Sequence, residues 1–237
     1  MNIDATAKRH FHEELEALQD LLLTMAGHTE RAVAAALAAV EENDAKAAAD
    51  LRAGDDEVDE LETLVDERVQ QLLALHQPVA TDLRLVLTVL KVSNDLERVA
   101  DHAVNIARAV RRKRKSPPTP ELRETGEMGE IAREMLADAL AAFAARDAEL
   151  ARRVRRTDDR VDSLRKSLFR VMVSYMLEDP RNIGGGLELL LISQNIERIA
   201  DLATNIAEDV VFLAEGRAGI RNLKNRADHD VDGGDAD

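Results

Sequence analysis

The sequence predicts an all-α protein made of two tandem homologous three-helix bundles. Ala, Leu, Glu and Arg dominate the composition, while aromatic residues make up only 2%, which is typical of helices packed through small and aliphatic side chains. Apolar residues recur at alternating spacings of three and four, and the second half of the chain repeats the first. A length of 237 residues suits two modest domains. With 45% hydrophobic and 33% charged residues, we expect a folded chain.

The first half predicts three helices. A long first helix is expected over about residues 8–42, followed by a second helix entered through Gly54 and Asp55. Pro78 should end this second helix, because a helix interior does not tolerate proline. The third helix carries an a/d seam of apolar residues, formed by Val89, Val92, Leu96, Val99, Ala103, Ile106 and Val110.

A break in the pattern separates the two halves. The basic run at residues 111–115 precedes a segment, 117–120, that holds three of the five prolines. The basic run suits either an anionic partner or the last turn of a helix, where cations meet the negative end of the dipole. We favour the helix end. The predicted domains are residues 1–115 and 119–224, followed by a disordered acidic tail over 225–237, where the apolar period stops.

The second half repeats these elements. Residues 193–207 match residues 93–107 at nine of fifteen positions, and residues 158–164 match 55–61 at an offset of 103. We expect a first helix over about 121–146, a second entered through Thr157 and Asp158, and a third after Pro180. Three consecutive glycines at 184–186 suggest a phosphate cradle or, preferably, a flexible connector. The seam of the third helix contains Leu189, Ile192, Ile196, Ile199, Ala203, Ile206, Val210 and Leu213.

Each predicted bundle carries four carboxylates in two pairs. A spacing of four residues places both members of a pair on one helical face. In two antiparallel helices joined by a turn, residues equidistant from the turn lie at the same height, so the two pairs should meet. The sets are Asp55, Asp59, Glu97 and Asp101 in the first bundle, and Asp158, Asp162, Glu197 and Asp201 in the second.

These carboxylates predict one metal site per bundle, in a solvent-accessible groove beside the seam. Like charges four residues apart destabilise an isolated helix by about 0.2–0.5 kcal/mol per pair, and a bound cation relieves that repulsion. All-oxygen ligation suits Mg²⁺, Mn²⁺, Ca²⁺ or ferric iron. In the alternative interpretation, Asp55 and Asp158 are helix caps or first-turn acids, and Glu97 and Glu197 pair with neighbouring arginines. A ferritin-like di-iron centre is disfavoured, because no His follows Glu97 by three residues.

Composition and motifs exclude several classes of function. The chain has no Cys, which removes disulfides, thiolate metal sites and Cys nucleophiles. A net charge of −14 disfavours nucleic-acid binding, and no apolar stretch is long enough to enter a membrane. We therefore expect a cytoplasmic protein. Phosphate-loop, nucleophile-elbow and H-E-x-x-H motifs are absent, so no catalytic residue is predicted. A metal-dependent hydrolase or metal store remains the alternative.

Two segments carry a family resemblance. The turn Gln77-Pro78-Val79-Ala80-Thr81-Asp82-Leu83-Arg84 and the repeated Glu-Arg-x-Ala-Asp segments at 97–101 and 197–201 resemble the PhoU family of phosphate-signalling regulators. The resemblance covers nearly the whole chain. It implies a pair of three-helix bundles whose E/D-x-x-x-D motifs bind multinuclear iron or zinc clusters in some members.

The same resemblance implies a regulatory role. It implies a non-enzymatic cytoplasmic adaptor, usually a homodimer, that represses the phosphate-starvation response. The adaptor would couple the ATPase subunit of a phosphate ABC transporter to a sensor histidine kinase. One departure is that the second copy lacks the Gln-Pro turn and has Glu178-Asp179-Pro180-Arg181 in its place.

Overall fold

The structure, a computed structural model, describes residues 3–43, 47–114, 116 and 123–216, and these residues contain six α-helices and no strand. The first half holds α1 (Ile3–Glu42), α2 (Ala47–His76) and α3 (Ala80–Lys113). The second half holds α4 (Arg123–Ala145), α5 (Ala148–Glu178) and α6 (Ile183–Glu215), with a 3₁₀ turn at Pro180–Asn182. The predicted disordered tail over 225–237 lies outside the described residues.

The helices form two three-helix bundles, which confirms the predicted fold class. Within each half every helix contacts the other two, and the halves meet mainly through α3 and α6, with a smaller contact between α1 and α4. Equivalent seam residues of α3 and α6, such as Leu96 and Ile196, are fully buried. One continuous hydrophobic core crosses both bundles. The domain limits 1–115 and 119–224 stay a prediction.

Ion pairs hold α3 and α6 antiparallel across the interface between the bundles. Lys91 Nζ lies 2.9 Å from Asp209 Oδ1, and Arg112 Nε lies 2.8 Å from Glu188 Oε1. Arg112 belongs to the last turn of α3, which also contains Arg111 and Lys113. The described part of the basic run is therefore a helix end, as the sequence indicated.

The second helix of each bundle starts earlier than predicted. Asp147, not Thr157, is the N-cap of α5, and its carboxylate accepts hydrogen bonds from the backbone N–H groups of Glu149 (2.9 Å) and Leu150 (3.0 Å). Likewise Gly54 lies inside α2, where an interior glycine costs only about 1 kcal/mol and packing of the long helix outweighs it. Asp55 and Asp158 are thus interior residues, and the cap interpretation of them is wrong.

The three glycines at 184–186 are helical and do not form a connector. They lie in the first turns of α6, where Gly186 is buried against α5. A Cβ atom at Gly186 would lie 2.7 Å from Met176 Cγ. Glycine is therefore needed here for the close approach of α5 and α6, a constraint that composition alone does not reveal.

Candidate functional site

The predicted antiparallel register of the carboxylate-bearing helices is confirmed. In the second bundle, Asp162 on α5 acts electrostatically on Glu197 on α6, and these residues are equidistant in sequence from the Asp179–Pro180 turn. Asp158 and Asp201, also equidistant from that turn, line one cavity of about 270 Å³.

The first bundle has the same register. The Asn94 side chain on α3 hydrogen-bonds Glu62 on α2, and the two residues are equidistant from Pro78. Since the amide nitrogen is the donor available to a carboxylate, Asn94 donates. The four predicted acidic residues of each bundle therefore lie on the facing helices at the heights that the sequence indicated.

The first carboxylate row is partly exposed and extends beyond the four predicted residues. Asp59 and Asp101 are exposed and Glu97 is half-buried, whereas the Asp55 side chain lies outside the described residues. Glu62 belongs to the same row: burial raises its pKa, and the negative charges of Asp66 and Asp59 raise it further, against the lowering effect of the Asn94 hydrogen bond.

Sequence reasoning missed this extension, although the signal was present. Glu62 and Asp66 follow Asp59 at spacings of three and seven, on the same helical face. The first row is thus a run of mutually repelling carboxylates along α2, facing Glu97 and Asp101 of α3.

The second row is more buried than predicted. Asp158 is only 4% exposed, and Asp162, Glu197 and Asp201 are half-buried, so the expectation of a fully accessible groove is wrong for Asp158. Asp158 lies on the face of α5 that lines a cavity with residues of α3 and α6. Three arginines, Arg98, Arg155 and Arg198, line the same cavity as Asp158.

Arginine side chains compensate the second row. Arg165 Nε lies 3.1 Å from Glu197 Oε1, an ion pair in which Nε makes no well-directed hydrogen bond. Arg198 Nη1 lies 3.2 Å from Asp201 Oδ2. Burial nevertheless raises the pKa of Glu197: its desolvation and the charges of Asp201 and Asp162 outweigh the lowering by Arg165 and Arg198. The alternative interpretation, pairing with arginine, therefore holds for Glu197.

The repeat identifies Arg165 as the decisive difference between the rows. At the offset of 103, Arg165 of α5 is equivalent to Glu62 of α2. One row therefore contains a fixed cation at the position where the other contains a further carboxylate. The exchange is visible in the sequence as a reversal of charge between equivalent positions of the two copies.

The rows differ accordingly in how well they fit a metal ion. Among the side chains that the structure describes, no three His, Cys, Asp or Glu residues are grouped closely enough to hold one. The acidic side chains of the first row offer oxygen donors, which suit a hard cation if the side chains converge. In the second row, Arg165 already supplies the positive charge. The donor chemistry thus fits a metal in the first bundle better than in the second.

A histidine cluster joins α1 to the end of α2. His76 Nε2 lies 2.7 Å from Glu14 Oε2, and His10 Nε2 lies 3.3 Å from Glu14 Oε1. The spacing of four between His10 and Glu14 is readable in the sequence, but the approach of His76 depends on the packing of α2 on α1. Hence sequence reasoning did not find this cluster.

None of the helices within the described ranges is long and apolar enough to cross a membrane.

Comparison with known proteins identifies relatives over most of the chain. The sequence model of the PhoU domain matches residues 22–110 and 125–210, one match for each bundle. A protein of Zymomonas mobilis named phosphate-specific transport system accessory protein PhoU homolog is 40% identical over 210 residues, covering 87% of both chains. The Escherichia coli K12 protein named phosphate-specific transport system accessory protein PhoU is 33% identical over 217 residues, covering 92% of this chain and 90% of that one.

Solved structures agree with these matches. The crystal structure of PhoU from Pseudomonas aeruginosa superposes with a TM-score of 0.84 at 37% identity, covering 87% of this chain and all of that one. The phosphate transport system regulatory protein PhoU from Streptococcus pneumoniae superposes with a TM-score of 0.80 at 28% identity, covering 87% of this chain and 98% of that one.

Proposed function

The chain belongs to the PhoU family, and from this premise we propose that it is a negative regulator of the phosphate-starvation response. In this role it acts as a cytoplasmic adaptor, as a homodimer, between the ATPase subunit of a phosphate ABC transporter and a sensor histidine kinase. The observation that carries the proposal is the match of the family to both bundles, over the same helices that bear the carboxylate rows.

The mechanism that we propose is binding without turnover. Long helices with exposed faces offer surfaces for protein contact, and the relatives are named as accessory or regulatory proteins. The two bundles share one core and are joined by ion pairs between α3 and α6, such as Lys91 with Asp209. A change in one bundle on binding a partner would therefore be transmitted to the other bundle through the shared core.

We further propose that the first carboxylate row holds a cation. Asp55, Asp59, Glu97 and Asp101 would be its ligands, and Glu62 would add negative charge beside them. The cation would neutralise the row and fix α2 against α3, which is a structural contribution. Family resemblance favours iron or zinc, whereas the oxygen donors also suit Mg²⁺, Mn²⁺ or Ca²⁺. In the second row, Asp158, Asp162, Glu197 and Asp201 would bind a cation more weakly, because Arg165 competes for Glu197.

Deletion of the gene tests the regulatory role. Phosphate-responsive transcription should rise under phosphate excess and return to its basal level on complementation. Affinity purification of the complementing protein should recover the transporter ATPase or the kinase. Unchanged transcription in the deletion strain would contradict the proposal.

The alternative functions, a metal-dependent hydrolase or a metal store, predict a different result. Robust metal-dependent hydrolysis of phosphate esters by the purified protein, abolished by Glu97→Gln with Asp101→Asn, would favour the enzyme. Binding of many metal ions per chain would favour storage. The adaptor proposal expects neither.

A further inference from the structure

We propose that the groove between α5 and α6 binds an acidic amphipathic helix of a partner protein. The groove is formed by Arg165, Lys166, Phe169 and Arg170 of α5 and by Leu187, Leu190 and Leu191 of α6. We call it the basic groove. The inference rests on the proposed function only in taking the partner to be a protein.

The floor of the basic groove is apolar and exposed. Phe169 is 53% exposed, Leu187 51% and Leu191 41%, and together with Leu190 they line a cavity of about 350 Å³ between the helices. Only four phenylalanines occur in the chain, so exposing one of them is notable. Contiguous exposed apolar surface of this kind marks interaction sites in soluble proteins.

The rim of the basic groove is positively charged. Arg165, Lys166 and Arg170 surround Phe169 in a second, adjoining cavity of about 480 Å³. Arg165 is paired with Glu197, but within the described part of the chain no carboxylate forms an ion pair with Lys166 or Arg170. Lys166 and Arg170 therefore place two positive charges, without an ion-pair partner among the described residues, beside the exposed ring of Phe169.

The fold itself does not require this chemistry. At the offset of 103, the equivalent face of α2 carries acidic or neutral residues, and both faces are supported by the same kind of buried seam. The α2 residues equivalent to Arg165, Lys166, Phe169 and Arg170 are Glu62, Thr63, Asp66 and Glu67. The basic groove is therefore a property of the second bundle alone.

Charge and shape together identify the occupant. An amphipathic helix places aliphatic residues at spacings of three and four in a groove, and Asp or Glu beside them would pair with Lys166 and Arg170. The exposed apolar side chains lie between two helices, so a single helix can contact them together with the basic rim, whereas a membrane surface requires a broad apolar face. An acidic helix from a partner is the occupant that satisfies both the apolar floor and the basic rim.

Fluorescence anisotropy with synthetic peptides tests the inference. The probe is a labelled helical peptide of about four turns, with Leu at spacings of three and four and Glu flanking them. A second peptide carries Lys at every Glu position. Full-length protein should bind the Glu peptide at least tenfold more tightly than the Lys peptide, and raising the salt concentration should reduce this preference.

Variants that replace residues of the basic groove by the equivalent residues of the first bundle locate the binding site. Phe169→Asp and Arg170→Glu should each weaken binding of the Glu peptide at least tenfold. Arg170→Glu changes an exposed residue, so it keeps the test valid if Phe169→Asp does not fold, and circular dichroism checks both variants. The matched control is Glu67→Ala at the α2 position equivalent to Arg170, which should leave peptide binding unchanged.

Several results would overturn the inference. Equal binding of both peptides, or undiminished binding by the groove variants, would exclude an acidic helix at this surface. Binding of phosphatidylglycerol vesicles that is lost in Arg170→Glu would identify a membrane instead. Self-association lost in Phe169→Asp would identify a second copy, and tighter peptide binding after truncation at Lys224 would identify the chain's own acidic C-terminus. None of these measurements depends on phosphate-responsive transcription, so failure here and failure of the proposed function are distinguishable.

Discussion

The α2–α3 and α5–α6 helix pairs have the same register but opposite groove chemistry. Both pairs are antiparallel about a proline turn, and both bury a seam of aliphatic residues. Along the groove, however, α2 carries Glu62 and Asp66 where α5 carries Arg165 and Phe169. The aliphatic seam and the acidic pairs have kept their character between the copies, whereas the neighbouring groove positions have diverged.

The two carboxylate rows therefore differ in charge although they lie on equivalent helices. In the first row, burial and the negative charges of Asp66 and Asp59 raise the pKa of Glu62. A cation is already present in the second row, because Arg165 lies beside Glu197. The pseudo-symmetric fold therefore supports two unequal surfaces, for which we propose a metal ion in the first bundle and an acidic partner in the second.

The largest effect that we predict concerns the packing of α5 on α6. Val86 of α3 is fully buried, whereas the equivalent residue of α6 is Gly186, whose space is filled by Met176. Gly186→Val should lower the free energy of unfolding by about 1–3 kcal/mol, because the new side chain overpacks the interface. Urea denaturation monitored by circular dichroism measures the change.

A compensating substitution sharpens this prediction. Met176→Ala added to Gly186→Val should recover part of the lost stability, because it removes the side chain that the new Cβ meets at 2.7 Å. If Gly186→Val alone is neutral, α5 and α6 do not approach as closely as described.

A smaller, stabilising effect is expected from removing the charge of Glu62 in the first row. Burial and neighbouring charges raise the pKa of Glu62, so the ionised carboxylate opposes folding at neutral pH. Glu62→Gln should therefore stabilise the protein at pH 7 by about 0.2–0.5 kcal/mol, a value reduced by solvent screening. The gain should disappear below the ordinary Glu pKa of 4.5, where Glu62 is protonated in both states.

The matched change in the second row is Arg165→Gln. This substitution removes the cation beside Glu197, so it should destabilise the protein at pH 7. Thermal unfolding of both variants at pH 7 and below the ordinary Glu pKa of 4.5 measures the two effects. Equal signs for Glu62→Gln and Arg165→Gln would contradict the electrostatic difference between the rows.

Sequence patterns were sufficient for the fold and for the register of the site. The spacing of three and four located the seams, and distance from the proline turns placed Asp162 opposite Glu197. Helix starts were less predictable, because Gly54 and Thr157 resemble boundary residues although long-range packing keeps them helical. The role of Gly186 depends on Met176 of another helix and is not encoded locally.

The charge balance of the site was only partly predicted. Four carboxylates per bundle were identified, but their environment depends on residues of other types, above all Arg165. The burial of Asp158 and its proximity to Arg98 follow from the packing of α3 on α6, which no local spacing reveals. The approach of His76 to Glu14 likewise depends on tertiary contacts.

Titration with Mn²⁺, followed by electron paramagnetic resonance of the free ion, tests the inequality of the two rows most directly. We expect one tight site per wild-type chain, lost in Glu97→Gln with Asp101→Asn. Arg165→Glu, which imports the residue of the first row, should create a second site. Two equal sites in the wild type, or one tight site that survives in the double variant, would contradict the account.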